Sequence, residues 1–139
     1  MRREEGLIVS CLVDTDVCID FLREREYAGT LLRKWLAKGL LSISAVTHLE
    51  IYAGIRKGEE SATGAFLDLM VTIPVDETIA RSAGDIIRHL KSRGMAMSPS
   101  DSIIASSALF MNVPLITNNI SDYPVSAIPG LVAVKGIGV

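Results

Sequence analysis

The chain has 139 residues and a formal net charge of −2, with 49% hydrophobic and 22% charged residues. This length suffices for one domain with a hydrophobic core, and the composition excludes a disordered chain. The near-neutral charge gives no overall basic signature of nucleic-acid binding, although a local basic surface stays compatible with it. We therefore expect residues 1–139 to form one globular domain.

Cysteine content and the absence of long apolar stretches predict the compartment. Cys11 and Cys18 are too few for a disulfide framework or a zinc site, and free thiols suit a reducing cytosol. The polar start and the short apolar run that ends at Asp14 do not match a secretory signal. No stretch is long enough to cross a bilayer. We expect a soluble, cytoplasmic protein without membrane contact.

The first half of the chain alternates between strand and helix patterns. The apolar run Leu7–Val13 is typical of a buried strand, and helical spacing begins directly after Asp14. The following segments are predicted as a helix over Tyr27–Lys38, a strand over Leu40–Ser44, and helices over Ala45–Lys57 and Glu59–Met70.

The second half continues the alternation. Its predicted elements are a strand over Val71–Val75, a long helix capped by Asp76 and stopped by Gly94, a helix opened by Ser98 and Pro99, a strand over Pro114–Thr117, a turn over Asn118–Pro124, and a strand over Leu131–Val134. Strands that alternate with helices predict an α/β fold with three layers. The central parallel sheet has four to five short strands, and helices cover both faces.

Four acidic residues stand where predicted strands end or helices begin. Asp14 ends the first strand, and Glu50 lies in the second turn of the helix after Leu40–Ser44. Asp101 lies in the first turn of the helix before the fourth strand, and Asp122 follows that strand. Such elements meet at one edge of a parallel sheet, where clustered carboxylates require a cation. One or two Mg²⁺ or Mn²⁺ ions there can activate water for attack on a phosphodiester.

Three polar neighbours are candidates for supporting this chemistry. Asp16 adds a carboxylate for a hard cation, since it lies two residues after the first strand-end acid. Thr117 and Asn119 offer a hydroxyl and an amide that suit the positioning of water or a phosphate oxygen, or they belong to an ordinary polar turn.

Each acid also has a purely structural explanation. Asp14 or Thr15 can cap the first helix, and Asp101 can form a capping box with Ser98. Glu50 can be a solvated helix residue, while Asp122 can belong to an Asx turn. All four explanations holding together is less expected than a shared site, because the four positions meet at one sheet edge.

Four segments contain these acids: LVDTDVCIDFL at 12–22, ISAVTHLEIYAG at 43–54, SPSDSIIASSAL at 98–109 and LITNNISDY at 115–123. In this order and spacing they resemble PIN domains, and among these the VapC-type toxins of prokaryotic toxin–antitoxin pairs. The resemblance extends along essentially the whole chain. It implies a PIN-like three-layer fold and a metal-dependent endoribonuclease that uses Mg²⁺ or Mn²⁺.

The resemblance also implies site residues and partners. Asp14, Glu50 and Asp101 match the acids shared by the family, while the fourth position varies between Asn119 and Asp122. Asp122 is favoured because an asparagine supplies no negative charge. Asp16 lies at a position where many relatives carry an asparagine, which makes the site more acidic. Such toxins usually form homodimers, and a cognate VapB-like antitoxin blocks them by placing its tail in the acidic groove.

RNA approaching an acidic pocket needs basic residues at its rim. The candidates are Arg23, Arg25, Arg56 and Lys57, which are otherwise ordinary solvated helix ends. Two other functions stay open. One is a non-catalytic PIN-like module that binds RNA or protein. The other is a phosphatase of the haloacid dehalogenase type, whose nucleophile motif resembles Asp14-Thr15-Asp16 but whose later lysine and acid pair are not evident here.

Overall fold

The structure is a computed structural model that describes residues 3–4 and 7–136, with side chains from Ile8 to Gly136. The ends of the predicted 1–139 domain lie outside the described residues. The strands are β1 (Arg3–Glu4), β2 (Leu7–Val13), β3 (Leu40–Ser44), β4 (Val71–Ile73), β5 (Leu115–Thr117) and β6 (Ala133–Lys135). The helices are α1 (Thr15–Leu22), α2 (Glu26–Leu36), α3 (Ala45–Ala53), α4 (Glu60–Asp68), α5 (Glu77–Ser92) and α6 (Pro99–Met111). A 3₁₀ turn spans Ile120–Asp122.

Five of the strands form a parallel sheet in the order β4-β3-β2-β5-β6. β1, which the sequence did not predict, pairs antiparallel with the start of β2. The predicted α/β fold with a central parallel sheet of four to five strands is therefore confirmed, with this short antiparallel addition. The strand β2 lies at the centre, so the residues that follow it are flanked by the ends of β3 and β5.

Apolar residues pack on both faces of the sheet. One cluster joins β2 residues Val9 and Leu12 to α5 and α6, with Leu90 and Ile104 completely buried. The other cluster lies beneath α1, α2 and α4, and it contains Val13 and the buried apolar residues of these helices. Two layers of helices thus sandwich the sheet, as the alternation of elements predicts. Among the described helices, none is both long and apolar enough to span a membrane.

The helix starts follow the predicted capping chemistry. Asp14 Oδ1 accepts a hydrogen bond from Thr15 N at 2.8 Å, and Ser44 Oγ accepts from Val46 N at 3.1 Å. Asp76 and Ser98 cap α5 and α6 in the same way. These caps satisfy backbone donors that have no partner inside the helix. They also fix the point at which each strand gives way to a helix.

Some helix and strand ends differ from the prediction. α3 ends at Ala53 and not at Lys57, because Gly54 has a low helix propensity and occupies the C-cap. Arg56 and Lys57 consequently lie in the turn that follows α3. The last strand covers Ala133–Lys135 instead of Leu131–Val134, since Leu131 turns into the core before pairing begins. None of these shifts moves a strand out of the sheet.

Candidate active site

Asp14 lies at the centre of the sheet edge, between β2 and α1. Its Oδ2 accepts a hydrogen bond from Thr117 Oγ1 at 2.7 Å, in addition to the cap bond from Thr15. The pairing of Val13 with Ile116 brings Thr117 to this position. The side chain is only 5% exposed. Burial, and next the nearby charge of Asp16, raises the pKa of Asp14 from 3.8 to about 7.

Asp16 occupies the first turn of α1 and faces the end of β5. Its Oδ2 accepts from Asn118 N at 2.9 Å, and its Oδ1 accepts from Val17 N at 2.8 Å. Partial burial raises its pKa above the ordinary value. The end of β5 therefore supports both acids, Asp14 through the Thr117 hydroxyl and Asp16 through the Asn118 N–H, and the two carboxylates lie close together after β2.

Glu50 on α3 connects to this cluster through Thr15. The Thr15 hydroxyl donates to Glu50 Oε1 at 2.7 Å and lies 3.0 Å from Thr47 Oγ1. Thr15 is also the residue whose backbone N–H bonds to Asp14. A single residue thus holds the first and second predicted acids at neighbouring positions.

Asp101 on α6 connects to the cluster through Tyr123. The Tyr123 hydroxyl donates to Asp101 Oδ1 at 3.2 Å and also lies beside the Asp14 carboxylate. The phenol is buried, and burial, followed by the charges of Asp14 and Asp101, raises its pKa. Sequence reasoning did not identify Tyr123. The available signal was a large aromatic residue with a polar tip inside an otherwise polar turn.

Asp122 differs from the other three acids because it is exposed. It lines a cavity of about 500 Å³ together with Asp101, Ser98 and Met97. Asn119 is also exposed, and its backbone N–H donates to Thr117 Oγ1 at 2.9 Å. The structure therefore places Asp122 and Asp101 along the same cavity, which Glu50 does not line.

The Thr117 hydroxyl serves the protein itself. It is completely buried, donates to Asp14 and accepts from Asn119. In this arrangement it orients the Asp14 carboxylate, whereas the sequence predicts contact with water or a phosphate oxygen. The Asn119 side chain remains at the surface, where it can still take that role.

The predicted rim residues are all exposed, and Arg23 is the one that lines a cavity with Glu50. Arg23 shares a cavity with Glu50 between α1, α3 and α4, and Arg56 and Lys57 are exposed beyond α3. Arg25 forms an ion pair of 3.8 Å with Asp20 and is largely exposed. Asp20 also accepts a hydrogen bond from the Tyr27 hydroxyl.

The cluster has unbalanced negative charge. The ion pairs found among the described side chains join Arg25 to Asp20, Arg81 to Glu77 and Arg88 to Asp85, and none involves a site acid. Within the described part of the chain, no three His, Cys, Asp or Glu side chains are grouped closely enough to hold a metal ion together. The hydrogen bonds found to Asp14, Asp16, Glu50 and Asp101 come from hydroxyls and backbone N–H groups.

Comparison with known proteins shows which family and which folds the chain is similar to. Residues 11–121 match the family model described as PIN domain, a span that includes Asp14, Glu50 and Asp101 and ends just before Asp122. Ribonuclease VapC19 from Mycobacterium tuberculosis is 32% identical over 114 residues, or 81% of this chain and 91% of that protein.

Two further proteins show similar coverage. Ribonuclease VapC1 from Methanocaldococcus jannaschii is 33% identical over 120 residues, covering 86% of this chain and 80% of that protein. A chain in a toxin–antitoxin complex from Klebsiella pneumoniae is 27% identical with a TM-score of 0.78, and the match covers 94% of this chain and all of that chain. Sequence and fold comparisons therefore point to the same group of proteins.

Proposed function

This chain belongs to the PIN domain family, and we propose that it is a divalent-metal-dependent endoribonuclease, the toxin of a VapBC-type toxin–antitoxin pair in the cytoplasm. The observation that carries the proposal is the buried Asp14 carboxylate, linked by Thr15 to Glu50 and by Tyr123 to Asp101. The names of the relatives from Mycobacterium tuberculosis and Methanocaldococcus jannaschii support ribonuclease activity. The buried free thiols of Cys11 and Cys18 suit a reducing compartment.

The residues at the site fit Mg²⁺ or Mn²⁺. Carboxylate oxygens are the ligands that such hard cations prefer, and Mg²⁺ commonly uses only one or two of them and keeps several waters. Asp14 and Asp101 are the first candidates to hold the ion, with Glu50 and Asp122 on either side. A cation would offset the charge whose burial raises the pKa of Asp14. When bound, it would supply an activated water and stabilise charge at the phosphate.

The protein's own groups have three tasks in this proposal. Thr15 and Thr117 orient Asp14, and Thr15 also orients Glu50. Exposed amide and hydroxyl groups near Asn119 bind the phosphate oxygens of the RNA. The basic residues at the rim attract the RNA backbone and offset the repulsion from the acidic cluster. Arg23 is the best placed of them, because it lines the same cavity as Glu50.

The direct experiment measures cleavage of a labelled RNA pool by the purified chain with Mg²⁺, with Mn²⁺ and with EDTA. We expect cleavage with either metal and none with EDTA. Asp101→Asn should abolish the activity, while Asp85→Asn, which alters an exposed acid on α5, should retain it. Equal cleavage by the Asp101→Asn variant and the wild type would contradict the assignment. Expression of the wild-type chain alone should arrest bacterial growth, and the Asp101→Asn variant should not.

We also propose an antitoxin partner that occupies the groove between α1, α3 and α4. The groove encloses about 210 Å³, and Ile19, Leu22 and Ile51 line it beside Glu50. An apolar helix carrying an arginine or lysine would cover these residues and bring its cation to the carboxylates. The similarity to a chain of the toxin–antitoxin complex from Klebsiella pneumoniae supports an antitoxin partner.

This partner can be tested with two alanines on the same helix. Ala62 lines the groove, whereas Ala65 is exposed on α4 and is not part of the groove lining. Ala62→Glu should prevent copurification with the antitoxin encoded by the adjacent reading frame, and Ala65→Glu should not. Loss of copurification in both variants, or in neither, would argue against this groove.

A homodimer completes the proposal. α3 exposes two large hydrophobic side chains, Leu49 at 66% and Tyr52 at 46%, which suits burial against a second copy. Light scattering should give twice the monomer mass for the wild type and the monomer mass for Leu49→Glu. Leu36→Glu, which changes an exposed leucine on α2, serves as the control and should remain a dimer.

A further inference from the structure

Tyr123 is a neutral residue that is buried beside the Asp14 and Asp101 carboxylates. It is 1% exposed and has the largest volume among the fully buried side chains. Its ring packs in the cluster that contains Leu12 and Ala105, so the position of the hydroxyl is fixed by the core. That hydroxyl donates to Asp101 Oδ1 at 3.2 Å and reaches Asp14 as well.

The two carboxylates that Tyr123 contacts are not equally supported. Asp14 is held by Thr15 N and Thr117 Oγ1, at 2.8 Å and 2.7 Å. Asp101 is half-buried on a different element, α6, and its carboxylate accepts from the Tyr123 hydroxyl. A phenol carries one proton and can donate to only one carboxylate at a time. Tyr123 is therefore a neutral donor that positions Asp101 beside Asp14 and cancels the charge of neither carboxylate, so a cation bound there would still be favourable.

We propose that Tyr123 is a positioning residue that holds the Asp101 carboxylate beside Asp14 in the geometry that a divalent cation requires. The inference rests on the proposed function and names a residue outside the four acids. A hydroxyl on a rigid ring orients its acceptor more strictly than water does, and outer-shell partners of this type contribute strongly to metal affinity. The competing explanation is that Tyr123 is a core residue whose buried hydroxyl merely needs an acceptor.

The test is calorimetric titration of Mn²⁺ alone into the wild type, Tyr123→Phe and Ser92→Ala. Tyr123→Phe keeps the ring in the core and removes only the hydroxyl, while Ser92→Ala removes an exposed hydroxyl at the end of α5. We expect the Kd for Mn²⁺ to rise about tenfold in Tyr123→Phe and to stay unchanged in Ser92→Ala. Circular dichroism of each variant verifies that the fold is retained.

The cleavage rate as a function of Mn²⁺ concentration gives the second readout. For Tyr123→Phe we expect slow cleavage at low Mn²⁺ and recovery toward the wild-type rate at saturating Mn²⁺. An unchanged Kd, with a rate deficit that is the same at every Mn²⁺ concentration, would reduce Tyr123 to a core residue while leaving the proposed function intact. A wild type that neither binds Mn²⁺ nor cleaves RNA would overturn both.

Discussion

The acids at the sheet edge and the acids of α5 are the same chemical groups in opposite surroundings. On α5, Glu77 and Asp85 are more than half exposed and form ion pairs of 2.7 Å and 2.9 Å with Arg81 and Arg88. Asp14 is 5% exposed, and its hydrogen-bond donors are the backbone N–H of Thr15 and the hydroxyl of Thr117. Water and arginine balance the charge of the α5 acids, whereas no ion pair balances the charge of Asp14 among the described side chains.

This difference in surroundings indicates where a cation is needed. Exposed ion pairs contribute little to stability, because solvent already screens each partner. A buried carboxylate that only neutral donors support gains far more from a cation, since it has lost most of its hydration. We therefore expect the acids at the sheet edge to take part in function and the acids of α5 to contribute only to solubility. Four experiments test this difference between the two groups of acids.

The largest effect should come from Asp14→Asn, which removes the buried charge and keeps the shape. RNA cleavage at saturating Mn²⁺ should fall about a thousandfold, equivalent to roughly 4 kcal/mol of transition-state stabilisation. The asparagine can still accept from Thr15 N through its oxygen, so the fold should persist by circular dichroism. Cleavage within a few-fold of wild type would place the chemistry elsewhere.

The second effect is the pH dependence of the free energy of unfolding, measured in the presence of EDTA. The raised pKa of Asp14 means that the folded state keeps a proton which the unfolded state loses between pH 3.8 and about 7. The free energy of unfolding should therefore decrease as the pH rises through this range, by as much as about 4 kcal/mol. Partial burial of Asp16 raises its pKa as well and acts in the same direction.

Urea unfolding of the wild type and of Asp14→Asn at pH 5 and pH 8 measures this contribution. Asp14→Asn should lose much less stability between the two pH values, and added Mn²⁺ should reduce the loss in the wild type. If both proteins showed the same pH dependence, the Asp14 carboxylate would not be the titrating group.

A smaller effect separates Asp122 from Asn119. Asp122 is exposed like the α5 acids, yet it shares a cavity with Asp101. If it belongs with the site, Asp122→Asn should lower the cleavage rate roughly 10- to 100-fold. Asn119→Ala should do less, because its hydrogen bond to Thr117 comes from the backbone N–H, which alanine retains. The reverse order in rates measured at saturating Mn²⁺ would transfer the role to Asn119.

The smallest effect should come from Asp85→Asn on α5. Its ion pair with Arg88 is solvated at both ends, so the free energy of unfolding should change by less than about 0.5 kcal/mol. Urea titration at neutral pH measures this directly. A destabilisation above 1 kcal/mol would show that the contrast between the two regions is overstated.

Local sequence patterns determined much of this protein. The apolar run Leu7–Val13 and the cap at Asp76 depend on neighbours in the chain, and both occur as predicted. Alternating strands and helices determined the parallel sheet, because such a crossover packs only one way. The positions of Asp14, Glu50 and Asp101 at one sheet edge followed from that topology.

Only the tertiary structure decided which groups touch these acids. Thr117 is 103 residues away from Asp14 in the chain and reaches it because β5 pairs with β2. Tyr123 meets Asp101 because the turn after β5 folds its ring under α6 into the core. Burial likewise set the pKa of Asp14, which no local pattern encodes. Hydrogen bonds and desolvation depend on residues that are distant in the chain, so their partners become visible only when the sheet is assembled.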